Sequence, residues 1–201
     1  MTQRFVYFDL GKVLVHFDHQ TAVEQLSRLS GKSETLVRQV VFDSELQNRY
    51  ETGLVSGEQF AVEVNRALES ALTTAEILEA ISDIFSPNYP ILDAIELVKT
   101  SGVPLGILSN TCEAHWRWIM DRQWPMFGPW WSQIVLSYEV GGMKPASKIY
   151  EVCEQRAGCA GENLFFTDDR AENIAAAQDR GWSTYHFTSA EILVERLQAW
   201  L

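Results

Sequence analysis

Short runs of apolar, β-favouring residues recur along the chain, and segments with helical periodicity separate most of them. The first run covers residues 4–8 and ends at Asp9. Later runs lie at residues 104–108, 134–136, 164–167 and 184–187. Strands buried on both faces of a parallel sheet have this nearly continuous apolar composition. The pattern therefore predicts five buried strands.

Helical patterns fill the intervals between the later runs. The first of them places Ile91, Ile95 and Val98 on one face. The predicted helices cover residues 90–100, 146–157 and 171–180. Regular alternation of strand and helix is typical of a parallel sheet with helices on both faces. We predict an α/β fold with a doubly wound parallel sheet of the Rossmann-like kind.

The stretch 18–85 shows only helical periodicity, with no convincing strand. Apolar residues recur at helical spacing at Val23, Leu26 and Leu29, and again farther along. Ser56 followed by Gln59 is the pattern of a capping box, in which each side chain bonds the other residue's backbone amide. We predict a bundle of helices inserted after the first strand.

This insertion divides the chain into two predicted domains. An α/β core would comprise residues 1–17 and 86–201, and a helical cap would comprise residues 18–85. An insertion at this place lies over the carboxyl ends of the strands, where α/β proteins bind ligands. An ordinary packing subdomain would give the same sequence pattern, so both interpretations stay open.

Composition and charge narrow the classes of function. The formal net charge of −11 argues against a nucleic acid or an anionic membrane as partner, because both attract a basic surface. No apolar stretch approaches the roughly 20 residues that span a bilayer, and the N-terminus does not have the pattern of a signal peptide. Three cysteines without a close pair favour a reducing compartment, and we expect a cytoplasmic protein. The oligomeric state stays undetermined.

Polar residues stand at the ends of several predicted elements. The segments are Asp9-Leu10-Gly11-Lys12, Ser109-Asn110-Thr111, Lys144-Pro145 and Asp168-Asp169. Each of them alone is a weak signal, because strand ends often carry turn and capping residues. The carboxyl ends of parallel strands converge in space, however, so all four segments can share one site.

The chemistry of these residues suits a phosphate monoester. Asp9 can act as a nucleophile and form an aspartyl-phosphate. Mg²⁺ prefers oxygen ligands, and Asp9, Asp169 and the carbonyl oxygen of Gly11 can supply them. A cation would also offset the mutual repulsion of Asp9, Asp168 and Asp169.

Two further segments can bind the phosphoryl group. The hydroxyl of Ser109 and the amides of Asn110 and Thr111 precede a predicted helix, whose N-terminus attracts anions. Lys144 brings a positive charge, and Pro145 sets the chain direction before the next helix.

The order FDLGKVL, ILSNT, GGMKP and FFTDDRAEN resembles the four motifs of the haloacid dehalogenase-like hydrolases. The resemblance covers nearly the whole chain and includes the helical insertion, which matches the cap of one branch. The first motif is most similar to that of small sugar-phosphate phosphatases with the pattern DLGxV. The fold implied is a Rossmann-like core with an inserted cap, and the activity implied is a Mg²⁺-dependent phosphatase.

The resemblance also implies a role for each motif residue. It makes Asp9 the nucleophile, Ser109 the phosphate-binding residue, Lys144 the residue that stabilises charge and Asp169 a direct metal ligand. Asp168 would bind the metal through water or support its ligands. Asn173 would orient the acidic loop or Lys144.

One position departs from the family pattern. Most phosphatases of this superfamily carry a second aspartate two residues after the nucleophile, where this chain has Gly11. That aspartate gives general acid–base help, which is typically worth about 10²–10⁴-fold. One interpretation is that another residue substitutes for it, and the candidates are His16, Asp18, His19, Arg49, Glu51 and Glu58. Alternatively, the substrate has a good leaving group, or the protein binds phosphate without turnover.

The sequence thus predicts hydrolysis of a small phosphate monoester, with a hexose phosphate as the first substrate to test. A weak or inactive relative that binds phosphate or a protein partner is the alternative, and a dehalogenase is the second rival. We expect Gly11→Asp to raise turnover of substrates with poor leaving groups.

Two other features allow a functional and a structural interpretation. Five of the seven tryptophans lie within residues 115–131, where they could form a partner surface or fill the core. We favour the core. Cys112 stands near the start of a predicted helix, which could lower its pKa, but a small buried residue is the simpler interpretation. His115 and His186 are interpreted as ordinary helix and strand residues.

Overall fold

The computed structural model describes residues 3–201. Its first half contains β1 (Phe5–Phe8), β2 (Val15–Phe17), α1 (His19–Ser30), α2 (Glu34–Val41), α3 (Leu46–Glu51), α4 (Gly57–Leu68), α5 (Thr74–Ser82), β3 (Phe85–Pro87) and α6 (Leu92–Ser101). The second half contains β4 (Leu105–Ser109), α7 (Glu113–Asp121), β5 (Trp131–Leu136), α8 (Ser137–Val140), α9 (Ser147–Ala157), β6 (Leu164–Asp168), α10 (Ala171–Asp179), β7 (Ser183–His186) and α11 (Ala190–Trp200).

Five parallel strands form the main sheet, in the order β5-β4-β1-β6-β7. All five predicted strands are confirmed. β1 lies at the centre, and all four of its residues are buried, as expected for a strand that pairs on both sides. The amide of Asp9 continues this pairing, because it donates to the carbonyl oxygen of Thr167 at 2.9 Å. Asp9 is therefore held at the carboxyl edge of the sheet.

The two faces of the sheet pack against different helices. Val6 and Phe8 belong to a core layer that includes residues of α6, α7 and α11. Phe5 and Tyr7 belong to a second layer, with residues of α9 and α10. Alternate residues of β1 thus bury opposite faces, and the predicted doubly wound α/β fold is confirmed.

The chain between β2 and β3 contains the five helices α1 to α5, and their buried residues form a core cluster to which Cys112 also belongs. The predicted capping box at the start of α4 is present. The amide of Gln59 donates to Oγ of Ser56 at 3.2 Å, and the amide of Ser56 donates to Oε1 of Gln59 at 2.9 Å. We call residues 18–85 the helical insertion.

A two-stranded antiparallel ribbon, β2 with β3, was not predicted from the pattern. Val15 pairs with Pro87, and Phe17 pairs with Phe85. Each strand has only three residues, which is too short for an alternating pattern to be recognised. The ribbon lies where the chain leaves for the helical insertion and returns from it.

The tryptophan-rich segment packs into the core, as favoured from the sequence. Trp118 is 9% exposed, and four further tryptophans between residues 116 and 131 are partly buried against the same core layer. Cys112 is also buried, and this burial raises the pKa of its thiol, so the idea of a lowered pKa was wrong. Within residues 3–201, no helix combines the length and apolar character needed to cross a membrane.

Candidate active site

The carboxylate of Asp9 lies at the tip of β1 and is almost completely buried. Its Oδ1 accepts hydrogen bonds from the amide of Leu10 at 2.7 Å and from Nζ of Lys144 at 2.7 Å. Because both hydrogen bonds end on Oδ1, Oδ2 keeps its lone pairs for another partner.

Lys144 joins the strand tips. Its ammonium group donates to Oδ1 of Asp9 at 2.7 Å, to Oδ2 of Asp168 at 2.7 Å and to the carbonyl oxygen of Leu108 at 2.9 Å. These three bonds use all three protons of the ammonium group. Burial alone would lower the pKa of Lys144, but the carboxylates of Asp168 and Asp9 outweigh it and raise this pKa. The side chain therefore stays charged.

Asp168 is fully buried, and other side chains and amides occupy both of its oxygens. Oδ1 accepts from the amide of Arg170 at 2.8 Å, and Oδ2 accepts from Lys144. Nδ2 of Asn173 lies 3.0 Å from both oxygens. Asp168 thus bonds both Lys144 and the loop after β6, and Asn173 contacts this loop through Asp168.

Asp9, Asp168 and Asp169 form an acidic cluster. One carboxylate oxygen of each residue lies within 4.8 Å of the other two. Burial, followed by the charge of Asp168, raises the pKa of both Asp9 and Asp169. Such mutual repulsion is what a bound cation relieves. The nearest basic group to Asp169 is Nζ of Lys12, at 3.9 Å.

This cluster fits Mg²⁺. Asp9 offers Oδ2, and Asp169 offers a partly exposed carboxylate. Two backbone hydrogen bonds form the bridge between Gly11 and Val15. The amide of Lys12 donates to the carbonyl oxygen of Val15, and the amide of Val15 donates to that of Leu10, so the carbonyl oxygen of Gly11 takes part in neither bond. Two carboxylates and a carbonyl oxygen make a donor set that Mg²⁺ accepts.

The ring of Phe17 fills the space beside Gly11. A Cβ atom at Gly11 would lie 2.8 Å from Cε1 of Phe17, which is closer than van der Waals contact allows. The phenyl ring thus lies in the direction in which the usual aspartate would project.

The segment after β4 supports Lys144 more than sequence reasoning anticipated. Nδ2 of Asn110 donates to the carbonyl oxygen of Lys144 at 2.9 Å, and Oδ1 of Asn110 accepts from the amide of Lys144 at 2.8 Å. Ser109 is buried beside them. The amide of Thr111 already donates to Oγ of Ser137 at 2.9 Å, so its predicted contact with phosphate is not available.

A cleft of about 490 Å³ opens onto these strand tips. Asp9, Gly11, Lys144 and Asp169 form its floor, together with neighbouring residues of the core. The helical insertion contributes the opposite wall, with His19, Phe42, Gln47, Asn48 and Glu51. Sequence reasoning did not identify Phe17, Phe42, Gln47 or Asn48, and no local pattern marks them.

Of the six residues considered as substitutes for the missing aspartate, only His19 and Glu51 line this cleft. Asp18 caps α1 through the amide of Gln20, and Arg49 is paired with Glu63 at 2.9 and 3.0 Å. The other two, His16 and Glu58, are exposed residues outside the cleft lining.

No family model matches the chain. A D-ribitol-5-phosphate phosphatase of Bacteroides thetaiotaomicron is 23% identical over 185 residues, which cover 90% of this chain and 89% of that enzyme. An (S)-2-haloacid dehalogenase of Pseudomonas putida is 27% identical over 113 residues, or 53% of this chain. The match spans only about half, 48%, of that dehalogenase.

Solved structures match over almost the entire length. A HAD family enzyme of Bacteroides thetaiotaomicron superimposes with a TM-score of 0.81 at 24% identity, covering 94% of this chain and 95% of that one. A HAD-like family hydrolase of Porphyromonas gingivalis gives 0.82 at 22% identity, with 99% and 98% covered. The chain has the haloacid dehalogenase-like fold.

The haloacid dehalogenase-like fold accounts for the convergence of the four sequence segments. β1, β4 and β6 are adjacent in the sheet, and each ends at one of the polar segments. The Bacteroides enzyme was also solved in complex with magnesium and inorganic phosphate.

Proposed function

We propose that this protein is a Mg²⁺-dependent phosphatase that hydrolyses small phosphate monoesters through an aspartyl-phosphate on Asp9. The observation that carries the proposal is the buried ammonium of Lys144, which bridges Asp9 and Asp168 at 2.7 Å each. It fixes a nucleophile and a positive charge at the edge of an acidic cluster that fits a divalent cation.

Each of the site residues has a separate role in phosphoryl transfer. Asp9 attacks phosphorus, and Lys144 keeps the nucleophile oriented and neutralises charge that develops beside it. Asn110 holds the backbone of Lys144, and Asp168 and Asn173 hold its ammonium group and the acidic loop. Bound Mg²⁺, held by Asp9, Asp169 and the carbonyl of Gly11, would supply positive charge for the phosphoryl oxygens.

The substrate class we propose is a sugar phosphate or polyol phosphate. The wall of the cleft from the helical insertion carries Gln47, Asn48 and Glu51, which suit hydroxyl groups. A similar protein is named as a D-ribitol-5-phosphate phosphatase, and the hexose phosphates remain candidates. The helical insertion would then act as a cap that selects the substrate.

The test is a steady-state assay with pentitol phosphates, hexose phosphates and p-nitrophenyl phosphate, with Mg²⁺ and with EDTA. We expect hydrolysis only with Mg²⁺, and a loss of at least about 10³-fold in Asp9→Asn, because the nucleophile is removed. Mg²⁺ at about 100 times its Kd should stabilise the wild type by about 2.7 kcal/mol, and Asp169→Asn should lose this shift in Tm.

Three outcomes would contradict the proposal. Equal rates in EDTA would exclude the metal-dependent mechanism. Phosphate binding without turnover of any ester would identify an inactive relative, the alternative that Gly11 favours. Release of halide from 2-haloacids without Mg²⁺ would identify a dehalogenase, the activity named for the Pseudomonas relative.

A further inference from the structure

Two cavities meet at Gly11. The larger one is the cleft over Asp9, Lys144 and Asp169. The smaller one, of about 50 Å³, is lined by Gly11, Ser109 and His115 among others, and is large enough for a water molecule. Five residues line both cavities: Gly11, Phe17, His19, Glu51 and Asn110. Among them, Glu51 has the only carboxyl group, and it lines both cavities together with Gly11, where the usual aspartate is missing.

The backbone of Glu51 is fixed to the core. Glu51 ends α3, and its carbonyl oxygen lies 2.6 Å from Oγ of Ser137. The same Oγ accepts from the amide of Thr111, two residues after Ser109. A single buried hydroxyl therefore ties the end of α3 to the loop after β4.

The side chain of Glu51 has one oxygen available for a proton. Nε2 of Gln47 donates to Oε1 of Glu51 at 2.8 Å, which leaves Oε2. Burial raises the pKa of Glu51, against smaller opposing effects of Gln47 and Arg170. A carboxyl group with a raised pKa holds a proton nearer to neutral pH, as a general acid must.

His19 is the other proton carrier in the cleft, and its surroundings suit it less. Its ring packs between those of Phe17 and Phe42, with centroids 5.0 and 4.5 Å away. Burial and the charge of Arg38 lower the pKa of His19, which favours the neutral imidazole, a weaker acid than the imidazolium ion. The other charged residues that line the cleft are Asp9 and Asp169, which are the proposed nucleophile and metal ligand, and the cations Lys12, Lys144 and Arg170.

We propose that Glu51, supplied by the helical insertion, performs the general acid–base catalysis that residue 11 cannot perform. The inference rests on the proposed phosphatase function. As Asp9 attacks phosphorus and the bond to the leaving oxygen breaks, the carboxyl proton of Glu51 passes to that oxygen and releases an alcohol. The carboxylate of Glu51 then takes a proton from water, whose oxygen attacks phosphorus. The bond from phosphorus to Asp9 breaks, inorganic phosphate leaves, and the proton is back on Glu51.

The dependence on the leaving group tests this role. An alkyl phosphate needs a proton on its leaving oxygen, whereas p-nitrophenyl phosphate leaves with little help. We expect Glu51→Gln to lower kcat for alkyl phosphates by about 10²–10⁴-fold. The loss with p-nitrophenyl phosphate should be much smaller for the first step, measured as the burst of p-nitrophenol. Glu51→Asp, which keeps a carboxyl group, should regain part of the alkyl rate.

Glu58→Gln is the matched control, because this exposed glutamate lies on α4, outside the cleft. Its rates should equal those of the wild type. Equal losses of Glu51→Gln in the first, phosphoryl-transfer step with both substrates would indicate a structural role and overturn the inference, and so would an unchanged rate with alkyl phosphates. A loss selective for alkyl phosphates in His19→Gln but not in Glu51→Gln would assign the role to His19. If the wild type hydrolyses no ester at all, the proposed function itself fails.

Discussion

At the scale of single residues, the close approach of the Phe17 ring to Gly11 decides which side chains position 11 can carry. The ring of Phe17 occupies the space next to a position where relatives usually carry an acid. Nothing in the first motif reveals this, because the two residues meet only after the chain turns between β1 and β2. An aspartate cannot be restored at position 11 without moving the ring.

We therefore expect Gly11→Asp alone to destabilise the protein by about 1–3 kcal/mol, the usual cost of overpacking. Phe17→Ala should make the aspartate at position 11 tolerable, so that the double variant is more stable than the sum of the two single changes predicts. Urea unfolding of the four proteins measures this coupling.

The same double variant should turn over alkyl phosphates faster than Phe17→Ala does, because it carries a second acid. Simple additivity in the unfolding series would show that the ring moves aside freely. Gly11→Asp alone would then raise turnover, as the sequence suggested.

The candidate site was predictable from sequence in its strand tips but not in its walls. Asp9, Lys144 and Asp168 stand at element ends, and the fold brings such ends together whatever the intervening residues are. Phe17 acquires its place through the pairing of β2 with β3, and Glu51, one of six candidates from the sequence, acquires its place through tertiary packing of the helical insertion. Their neighbours in sequence give no sign of this.

At the scale of elements, Ser137 joins three parts of the structure. It begins α8, accepts from the amide of Thr111 after β4, and bonds the carbonyl oxygen at the end of α3. It is completely buried. Its hydroxyl thus positions the element that carries Glu51 relative to the strand that carries Ser109.

Ser137→Ala should cost about 1–3 kcal/mol of stability, because a buried amide loses its acceptor. It should also lower kcat for alkyl phosphates, since the end of α3 is released from the core. Chemical denaturation and the phosphatase assay measure the two effects. Ser132→Ala, at an exposed position of β5, is the control and should change stability by less than about 0.5 kcal/mol. A variant at Ser137 as stable as this control would refute the expectation.

The elements themselves were largely encoded in local patterns. Apolar runs of three to five residues and amphipathic helices with capping signals are recognisable one by one. β2 and β3 are not, because three-residue strands have no period and Pro87 disfavours a strand. They exist because the ends of the helical insertion pair with each other.

At the scale of the whole molecule, a buried histidine makes stability depend on pH. His115 lies edge-on to Phe85, with ring centroids 5.2 Å apart, and its Nε2 has no hydrogen-bond partner in the described chain. Burial, with a smaller effect of His19, lowers its pKa to about 4. The unfolded chain would bind a proton at about 6.5.

At a pH between these two pKa values, His115 carries a proton in the unfolded chain but not in the folded one, so the free energy of unfolding rises with pH. We expect His115 to contribute a slope of up to about 1.4 kcal/mol per pH unit as the pH falls from about 6.5 towards 4. His115→Gln removes this contribution, so its free energy of unfolding should fall less steeply over this window. Denaturant unfolding at pH 7, 6, 5 and 4.5 compares the two proteins. Parallel curves would mean that the histidine is protonated in the folded state.

The ribbon of β2 and β3 has a consequence for protein engineering. Because Phe17 and Phe85 are paired, the segment between them starts and finishes at neighbouring points, so it can be exchanged as one unit, or cassette. A cassette from a relative could be transplanted there without disturbing the strand tips. Since the proton donor proposed here belongs to the cassette, the transplant would exchange acid–base chemistry together with substrate choice. A foreign cassette without its own acid would give a hybrid protein that hydrolyses only esters whose leaving groups depart without being protonated.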